Sequence, residues 1–142
     1  MLLISHRGNI DGPNKDRENN PEYIQNALNN GYEVEVDIWF KNNSFYLGHD
    51  KAEFLIDENF LKKKKLWFHA KNYDALKNLK NFDINYFWHQ EDDYTITSKG
   101  NIWVYPGKVF DKNSIVVLPE RFTDKINLSC EGVCSDYIER YK

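Results

Sequence analysis

The sequence contains few cysteines, and this limits how the fold can be stabilised. Only Cys130 and Cys134 occur, in a C-x-x-x-C arrangement without a second pair. A disulfide framework of the kind found in small secreted domains needs more cysteines than this. We therefore expect both thiols to stay reduced and buried, and we expect the fold to depend on a hydrophobic core.

Long apolar segments and an excess of charge of one sign are also absent from the sequence. Residues 1–4 are apolar, but His6 and Arg7 follow at once, so this stretch is far shorter than a signal peptide or a membrane-spanning helix. Nineteen basic and 22 acidic residues give a net charge of -3, which provides no field to attract nucleic acid or an anionic membrane. We therefore expect a cytoplasmic protein that binds neither.

The chain does contain enough apolar residues for one packed core. Hydrophobic residues make up 41% of the 142 residues and aromatic residues 15%, which is typical of a globular protein and not of a disordered one. A chain of this length has room for a single core of ordinary size. We therefore expect one domain over residues 1–142 with one functional site.

The apolar pattern predicts many short strands and few helices. Strands are predicted at residues 2–5, 32–40, 45–47, 66–70, 84–88, 94–97, 102–105, 115–118 and 132–135. Helices are predicted at residues 22–30, 57–64 and 73–79. A helical crossover between parallel strands takes about a dozen residues or more, and several intervals are shorter. The pattern therefore predicts an α/β fold in which some connecting helices are missing.

Acidic residues occur where they could bind a hard metal ion. Glu35 and Asp37 lie on one face of the predicted strand 32–40, and Glu18 lies in the loop before the first helix. Carboxylate oxygens are the ligands that Mg²⁺ and Ca²⁺ prefer, whereas zinc sites more often use histidine and cysteine. Alternating acidic residues are also typical of a solvated strand face, so this pattern alone leaves both interpretations open.

Three of the four histidines, His6, His49 and His89, each follow a strand-like segment. His6 and His49 make a natural pair of general acid and base, because imidazole transfers protons near neutral pH. His89 follows another predicted strand, and its role stays open between a structural residue and a site residue. Glu120 and Asp136 end later strands, and we interpret both as structural hydrogen-bonding residues.

Four short motifs follow one another in the first half of the chain. They are His6-Arg7-Gly8, Glu18-Asn19, Glu35-x-Asp37 and Gly48-His49-Asp50. In this order they resemble the signature of the glycerophosphodiester phosphodiesterase family, within the phospholipase C-like phosphodiesterase superfamily. Residues 68–71, 102–104 and 132–137 resemble three later strands of the same family more weakly. The resemblance therefore extends over most of the chain.

The resemblance implies roles in catalysis and in substrate binding. His6 and His49 would be the catalytic histidines, and Arg7 and Lys71 would contact the phosphate. Trp103 is a candidate substrate contact for a different reason, which does not depend on the resemblance. Aromatic residues are usually part of the core, but one at a strand end can line a sugar or glycerol pocket, and Trp103 is our candidate for such a contact.

The resemblance also implies a divalent metal ion. Its ligands would be Glu18, Glu35 and Asp37, and His69 stands where the family has a further glutamate. The family pattern implies Mg²⁺ or Ca²⁺. A neutral imidazole in place of a carboxylate shifts the preference toward Mn²⁺ or Zn²⁺.

The fold that the resemblance implies is a TIM-type (β/α)8 barrel. Such a barrel usually needs about 250 residues, and this chain has 142. We therefore expect a shortened barrel in which several helices are lost or reduced to loops. Apolar surface uncovered by the missing helices would favour a homodimer.

The function implied is metal-dependent hydrolysis of a small phosphodiester, such as a glycerophospho- or sugar-phospho-compound. In the family scheme a hydroxyl group of the substrate attacks phosphorus to give a cyclic phosphate, and water then opens the ring. Three alternatives stay open: a phosphomonoesterase for a sugar or glycerol phosphate, a cyclising lyase of the spider-venom phospholipase D type, and a non-catalytic phosphoglycan-binding module.

Overall fold

A computed structural model describes all 142 residues, and the predicted strand segments form a single sheet in it. The strands are β1 (Leu2–His6), β2 (Glu33–Lys41), β3 (Ser44–Leu47), β4 (Phe54–Ile56), β5 (Leu66–Ala70), β6 (Asn85–Trp88), β7 (Tyr94–Ile96), β8 (Ile102–Val104), β9 (Ser114–Val117) and β10 (Gly132–Ser135). The helices are α1 (Pro21–Asn29), α2 (Glu58–Leu61) and α3 (Tyr73–Leu79), with 3-10 turns at Pro119–Arg121 and Ile138–Tyr141.

Seven of the ten strands form one parallel series. Their order across the sheet is β6, β5, β2, β1, β10, β9 and β8. The other three are antiparallel: β3 pairs with the end of β2, β4 with β3, and β7 with β8. The sequence analysis did not distinguish these strands from the parallel ones and missed β4. The connections before β3 and after β7 are tight turns, which are too short for a parallel crossover.

The sheet is curled, as contacts between distant strands show. Trp67 on β5 and Trp103 on β8 have four other strands between them in the sheet, yet their ring centroids are 5.8 Å apart. Phe87 on β6 also packs on Trp103, at 4.6 Å between ring centroids. These aromatic rings belong to a buried cluster on the concave face of the sheet, together with Ile4 and Ile115.

The two ends of the parallel sheet approach each other closely. The backbone N–H of Ser98 donates to the carbonyl of Tyr86 at 2.8 Å, and the Ser98 hydroxyl accepts from the N–H of Tyr86 at 3.0 Å. The Thr95 hydroxyl donates to the carbonyl of Trp88 at 3.1 Å. The fold is thus mixed α/β, with a curled sheet whose ends are bridged by hydrogen bonds.

A second buried cluster lies on the convex face, where the helices pack. Val34, Val36 and Ile38 point outward from β2 and contact Ile24 of α1 and Leu79 of α3. The helices cover only this part of the sheet, as expected from the short connections. On the uncovered β7–β8 ribbon, Ile96 is 66% exposed and Ile102 is 39% exposed.

Two predictions need correction in detail. The helix predicted at residues 57–64 ends at Leu61, and the chain turns into β5 at Lys65, which has a positive φ of 70°. Cys134 is buried as expected, but Cys130 is only partly buried. None of the three helices has the length and the apolar character that crossing a lipid bilayer requires.

Candidate functional site

The acidic face of β2 points to the inside of the curled sheet. Glu35 is 2% exposed and Asp37 is fully buried. This geometry follows from the alternation along the strand, because the opposite, aliphatic face packs against the helices. The interpretation of these carboxylates as a solvated outer face is therefore wrong.

Asp37 is the most enclosed charged group of the site. Its Oδ2 lies 2.9 Å from Nε of Arg7 and accepts a hydrogen bond of 2.9 Å from the Asn19 side chain. The Asn19 amide oxygen in turn accepts from the backbone N–H of Asp37 at 2.9 Å. Burial alone would raise the pKa of Asp37, but His69, Arg7 and Lys71 outweigh it and hold that pKa well below its usual range.

Glu35, Asp37 and His69 form a cluster that could hold a cation. One ligand atom from each lies within 4.8 Å of the others. Nδ1 of His69 is 3.2 Å from Oδ1 of Asp37 and 3.6 Å from Oε1 of Glu35. Oδ1 of Asp37 and Oε2 of Glu35 are buried and accept no hydrogen bond. Buried carboxylate oxygens without donors are costly. A metal ion would satisfy both, and a proton on Nδ1 of His69 would satisfy Oδ1 of Asp37.

His69 is oriented by contacts on both sides of its ring. Its Nε2 donates to the carbonyl of His89 at 2.7 Å, and its ring stacks on Phe87 with centroids 5.1 Å apart. Nδ1 is thereby directed at the two carboxylates, as in metal-ligating histidines that donate their other N–H to a carbonyl. Burial disfavours the charged ring, but Asp37 and Glu35 outweigh it and raise the pKa of His69 to about 9.

The permanent charges around the cluster do not balance. Among the side chains that the ion pairs of this cluster join, two are positive under ordinary conditions, Arg7 and Lys71, and Lys71 lies 3.9 Å from Asp37. Four carboxylates surround them: Glu18, Glu35, Asp37 and Asp136. This leaves two negative charges, which either a divalent cation or protons on the histidines can neutralise.

His6 stands beside this cluster and has a fixed tautomer. Its Nδ1 donates to Oδ1 of Asp136 at 2.6 Å, since a carboxylate can only accept. Nε2 then faces inward, 3.9 Å from Oε2 of Glu35. Burial raises the pKa of Asp136, but the bond from His6 and the amide of Asn9 outweigh it and lower that pKa. Asp136, which we interpreted as a structural hydrogen-bonding residue, makes such a bond, but it makes it within the candidate site, where it orients a candidate catalytic residue.

His49 occupies the rim of the same site, on the loop after β3. Its Nδ1 lies 2.8 Å from Oδ1 of Asp50, and its side chain is 43% exposed. The loop is tied to β2, because the N–H of Gly48 donates to the Asp37 carbonyl and the Trp39 indole donates to the Gly48 carbonyl. His6 and His49 thus each bind an aspartate through Nδ1 and leave Nε2 free.

Gly48 is required by the path of this loop. Its φ is 148°, and a Cβ there would lie 2.0 Å from the carbonyl oxygen of Lys51. We expect Gly48→Ala to lower the free energy of unfolding by roughly 2–5 kcal/mol, from backbone strain and overlap together. Gly100→Ala is the matched control, because Gly100 also has a positive φ but no atom near its Cβ position; we expect about 1–2 kcal/mol there. Equal losses in urea unfolding would contradict this account.

Glu18 lies outside the cluster that could hold a cation. Its two oxygens accept from Nη1 of Arg7 at 3.2 Å and from the Asn9 side chain at 3.0 Å. The same Asn9 amide donates to Asp136 at 2.8 Å. Glu18 therefore orients Arg7 in this structure, and it is not among the residues whose ligand atoms converge, namely Glu35, Asp37 and His69.

A cavity of about 280 Å³ opens over these groups at the carboxyl ends of the parallel strands. One side is ionic and is lined by His6, Arg7, Glu35, His49, His69 and Lys71. The other side is formed by residues at or after the ends of β6, β8 and β9 and includes His89, Trp103 and Tyr105, with Arg121 also lining the cavity. Trp103 is 4% exposed and forms part of the floor. The volume lies near the lower limit for ligand pockets, which favours a small ligand.

Two residues that hold the site together were not predicted as parts of it. Asn19 clamps Asp37 from a backbone with a positive φ of 63°, and Asn9 joins Glu18 to Asp136. The Glu18-Asn19 motif marked the first position, but only through its resemblance. Nothing in the sequence around Asn9 indicates that it spans two carboxylates.

A larger groove of about 600 Å³ lies at the opposite ends of the strands. It is lined by the lysine run 62–65 and by Lys99, with Glu33 and Asp83 among them. It contains no histidine, and its charged side chains are largely those of a solvated surface. The smaller cavity is therefore the candidate site, because it holds the groups capable of acid–base chemistry.

Comparison of the chain with protein-family models, with curated proteins and with solved structures found no match in any of the three.

Proposed function

We propose that this protein hydrolyses a small phosphodiester with the help of a divalent metal ion. The observation that carries the proposal is the convergence of Glu35, Asp37 and His69 within 4.8 Å, beside a histidine that is oriented by Asp136. Arg7 and Lys71 line the same cavity and supply positive charge for the non-bridging phosphoryl oxygens. The order of the motifs, which resembles the glycerophosphodiester phosphodiesterase signature, supports the same reaction.

In this proposal the curled sheet is a reduced form of the (β/α)8 barrel. Seven parallel strands and the hydrogen bonds between Tyr86 and Ser98 support it. The location of the site supports it as well, because barrel enzymes place their chemistry at the carboxyl ends of the strands. Most of the helices that would surround a full barrel are replaced by short connections.

The proposed metal ligands are Glu35, Asp37 and His69. They fit a cation because two buried carboxylate oxygens lack hydrogen bonds and because His69 directs Nδ1 toward them. A bound divalent ion would neutralise charge on the phosphoryl oxygens. Glu18 would act on the phosphate only through Arg7, which it contacts.

The acid and base roles follow from the different exposure of the two histidines. His6 is 8% exposed, so we assign it the role of the general base that takes the proton of the attacking substrate hydroxyl. The new O–P bond forms as the P–O bond to the leaving alcohol breaks, and His49 donates its proton to that leaving oxygen. His49 suits this role because it lies at the exposed rim, through which the alcohol departs.

Hydrolysis of the cyclic phosphate reverses these roles. His49 takes a proton from water as the water oxygen bonds to phosphorus. His6 returns its proton to the ring oxygen as the ring P–O bond breaks. Both histidines end in their starting states, and Asp136 stabilises His6 while it is charged.

The test is a turnover assay on metal-stripped protein to which Mg²⁺, Mn²⁺ or Ca²⁺ is returned. We expect release of alcohol from glycerophosphodiesters and sugar phosphodiesters, and little release of phosphate from the corresponding monoesters. Phosphorus NMR during the reaction distinguishes hydrolysis from a cyclising lyase, which would accumulate the cyclic phosphate. Phosphate binding without turnover under every metal would contradict the proposal in favour of a binding module.

His69 provides a test of metal preference that does not need a substrate. We expect wild-type protein to prefer Mn²⁺, and we expect His69→Glu to shift the ratio of Mg²⁺ to Mn²⁺ affinity by about tenfold or more, because it adds a hard anionic ligand. His69→Gln is the control, since it removes the imidazole without adding charge. Titration calorimetry measures both ratios. An unchanged profile in His69→Glu would show that His69 is not a ligand.

A further inference from the structure

His89 is a buried side chain with no hydrogen-bond partner, and it lines the candidate site. It follows β6, is 8% exposed, and makes no hydrogen bond through either ring nitrogen. Its ring forms part of the cavity wall. Buried polar atoms are almost always paired in proteins. An exception on a cavity wall therefore points to a ligand group that completes the pairing.

His89 lies outside the proposed metal cluster. Its ring centroid is 6.4 Å from that of His69, and it is not among the residues whose ligand atoms converge. Only its carbonyl contributes there, by accepting from His69. Its two ring nitrogens remain available for another partner.

A neutral imidazole carries one N–H donor and one acceptor nitrogen. A hydroxyl group is its natural complement, because a hydroxyl also donates one hydrogen bond and accepts others. A phosphate oxygen or a carboxylate could use only the donor. The chemistry of His89 thus favours a hydroxylated ligand over a second anion.

The surroundings of His89 favour a ring over an open chain. The ring of Tyr105 lies 5.6 Å from that of His89 and is 39% exposed, so one aromatic surface is accessible. Trp103 and Val117 close the floor with apolar surface. An aromatic wall beside a hydrogen-bonding edge matches a cyclic polyol, which has apolar C–H faces and polar hydroxyls at its edge.

We propose that the wall formed by His89, Tyr105 and Trp103 is a subsite for a cyclic polyol, such as a hexose, esterified to the phosphate. His89 hydrogen-bonds a ring hydroxyl, and Tyr105 packs on the ring face. The inference rests on the proposed function in one respect, because the proposed function places the phosphate at Arg7 and Lys71. It also selects sugar phosphodiesters over simple glycerophosphodiesters as substrates.

The test compares two ligands that share a phosphate and differ in ring hydroxyls. Glucose 1-phosphate and cyclohexyl phosphate are titrated into the full-length protein in the presence of Mn²⁺, and dissociation constants are measured by calorimetry. We expect wild-type protein to bind glucose 1-phosphate about 10- to 100-fold more tightly, because a site that pairs with a hydroxyl rejects an analogue without one. We expect His89→Leu to abolish this preference and His89→Gln, which keeps a donor and an acceptor, to retain most of it.

The outcomes separate this proposal from the proposed function. Equal binding of the two ligands by wild-type protein, a preference that survives in His89→Leu, or binding of neither ligand would overturn the subsite. None of these results depends on turnover, so an inactive protein with the expected preference would overturn only the hydrolytic function. If His89→Leu does not fold, His89→Phe is the second variant. It keeps an aromatic ring on the wall but neither donates nor accepts a hydrogen bond, so we expect it to abolish the preference as well.

Discussion

Replacement of His6 by alanine is expected to lower phosphodiester turnover by about 100- to 10,000-fold and to leave the protein folded. General acids and bases contribute rate factors of this size. His6 is placed for such a role, because Asp136 fixes its tautomer and its Nε2 faces the proposed metal site. Initial rates on the best diester substrate, with circular dichroism as the check on folding, measure both parts of the prediction. Residual activity above a few per cent would contradict the assignment.

Asp136 provides a graded companion to this prediction. In Asp136→Asn the amide oxygen can still accept from Nδ1 of His6, but it carries no charge to stabilise the protonated ring. We expect turnover to fall, by less than in His6→Ala, and the pH–rate profile of the variant to shift as the protonated ring loses its partner. A lower rate with an unchanged pH profile would indicate that Asp136 acts only on folding.

The sequence indicated which residues share a strand face, but it did not identify the inner face. Glu35 and Asp37 were placed together by the alternation along β2. Their burial depends on the helices, which pack on the opposite face and leave the acidic face to the inside of the curl. That information is tertiary, and the same alternation would appear in a strand with a solvated acidic face.

Contacts between distant segments were the other part that local pattern could not provide. Asp136 follows β10 and binds His6, which is 130 positions earlier in the chain. The register of β5 with β6 sets the contact between His69 and the carbonyl of His89. Strand direction could not be predicted from local pattern either, because short turns make β3 antiparallel to β2 and β7 antiparallel to β8. Strand segments were thus predictable one by one, whereas their pairing was not.

Asp37→Ala is expected to have a large effect on stability, a loss of roughly 3–5 kcal/mol in the free energy of unfolding. Asp37 is fully buried and compensates Arg7 directly, with Lys71 and His69 close by. Removal of the carboxylate leaves these positive charges partly buried without their shared partner. Urea unfolding of metal-stripped wild-type and variant proteins measures the difference.

Two controls determine whether burial and pairing cause this loss. Asp74 forms an ion pair with Lys77 at 3.5 Å, but both side chains are more than half exposed, so Asp74→Ala is expected to cost less than about 1 kcal/mol. Glu35 is buried with one oxygen that accepts no hydrogen bond. Glu35→Gln should therefore leave stability nearly unchanged or increase it, because it removes a buried charge with poor pairing.

The pH dependence of stability tests the same ion pair without a mutation. The pKa of Asp37 is held well below its usual range in the folded protein, whereas it is about 3.9 in an unfolded chain. The stabilisation is therefore present above about pH 4 and is lost as the pH falls through the folded pKa. The difference between wild-type protein and Asp37→Asn should be largest at about pH 5–6 and should shrink in acid. It should also shrink as the pH rises toward about 9, because Asp37, against the effect of burial, raises the pKa of His69 to about 9 and that pairing is lost when the ring is neutral. A difference that grew as the pH fell through the acid range would show that Asp37 is not stabilised as a carboxylate, and the assignment of Asp37 as the centre of the ionic cluster would fail with it.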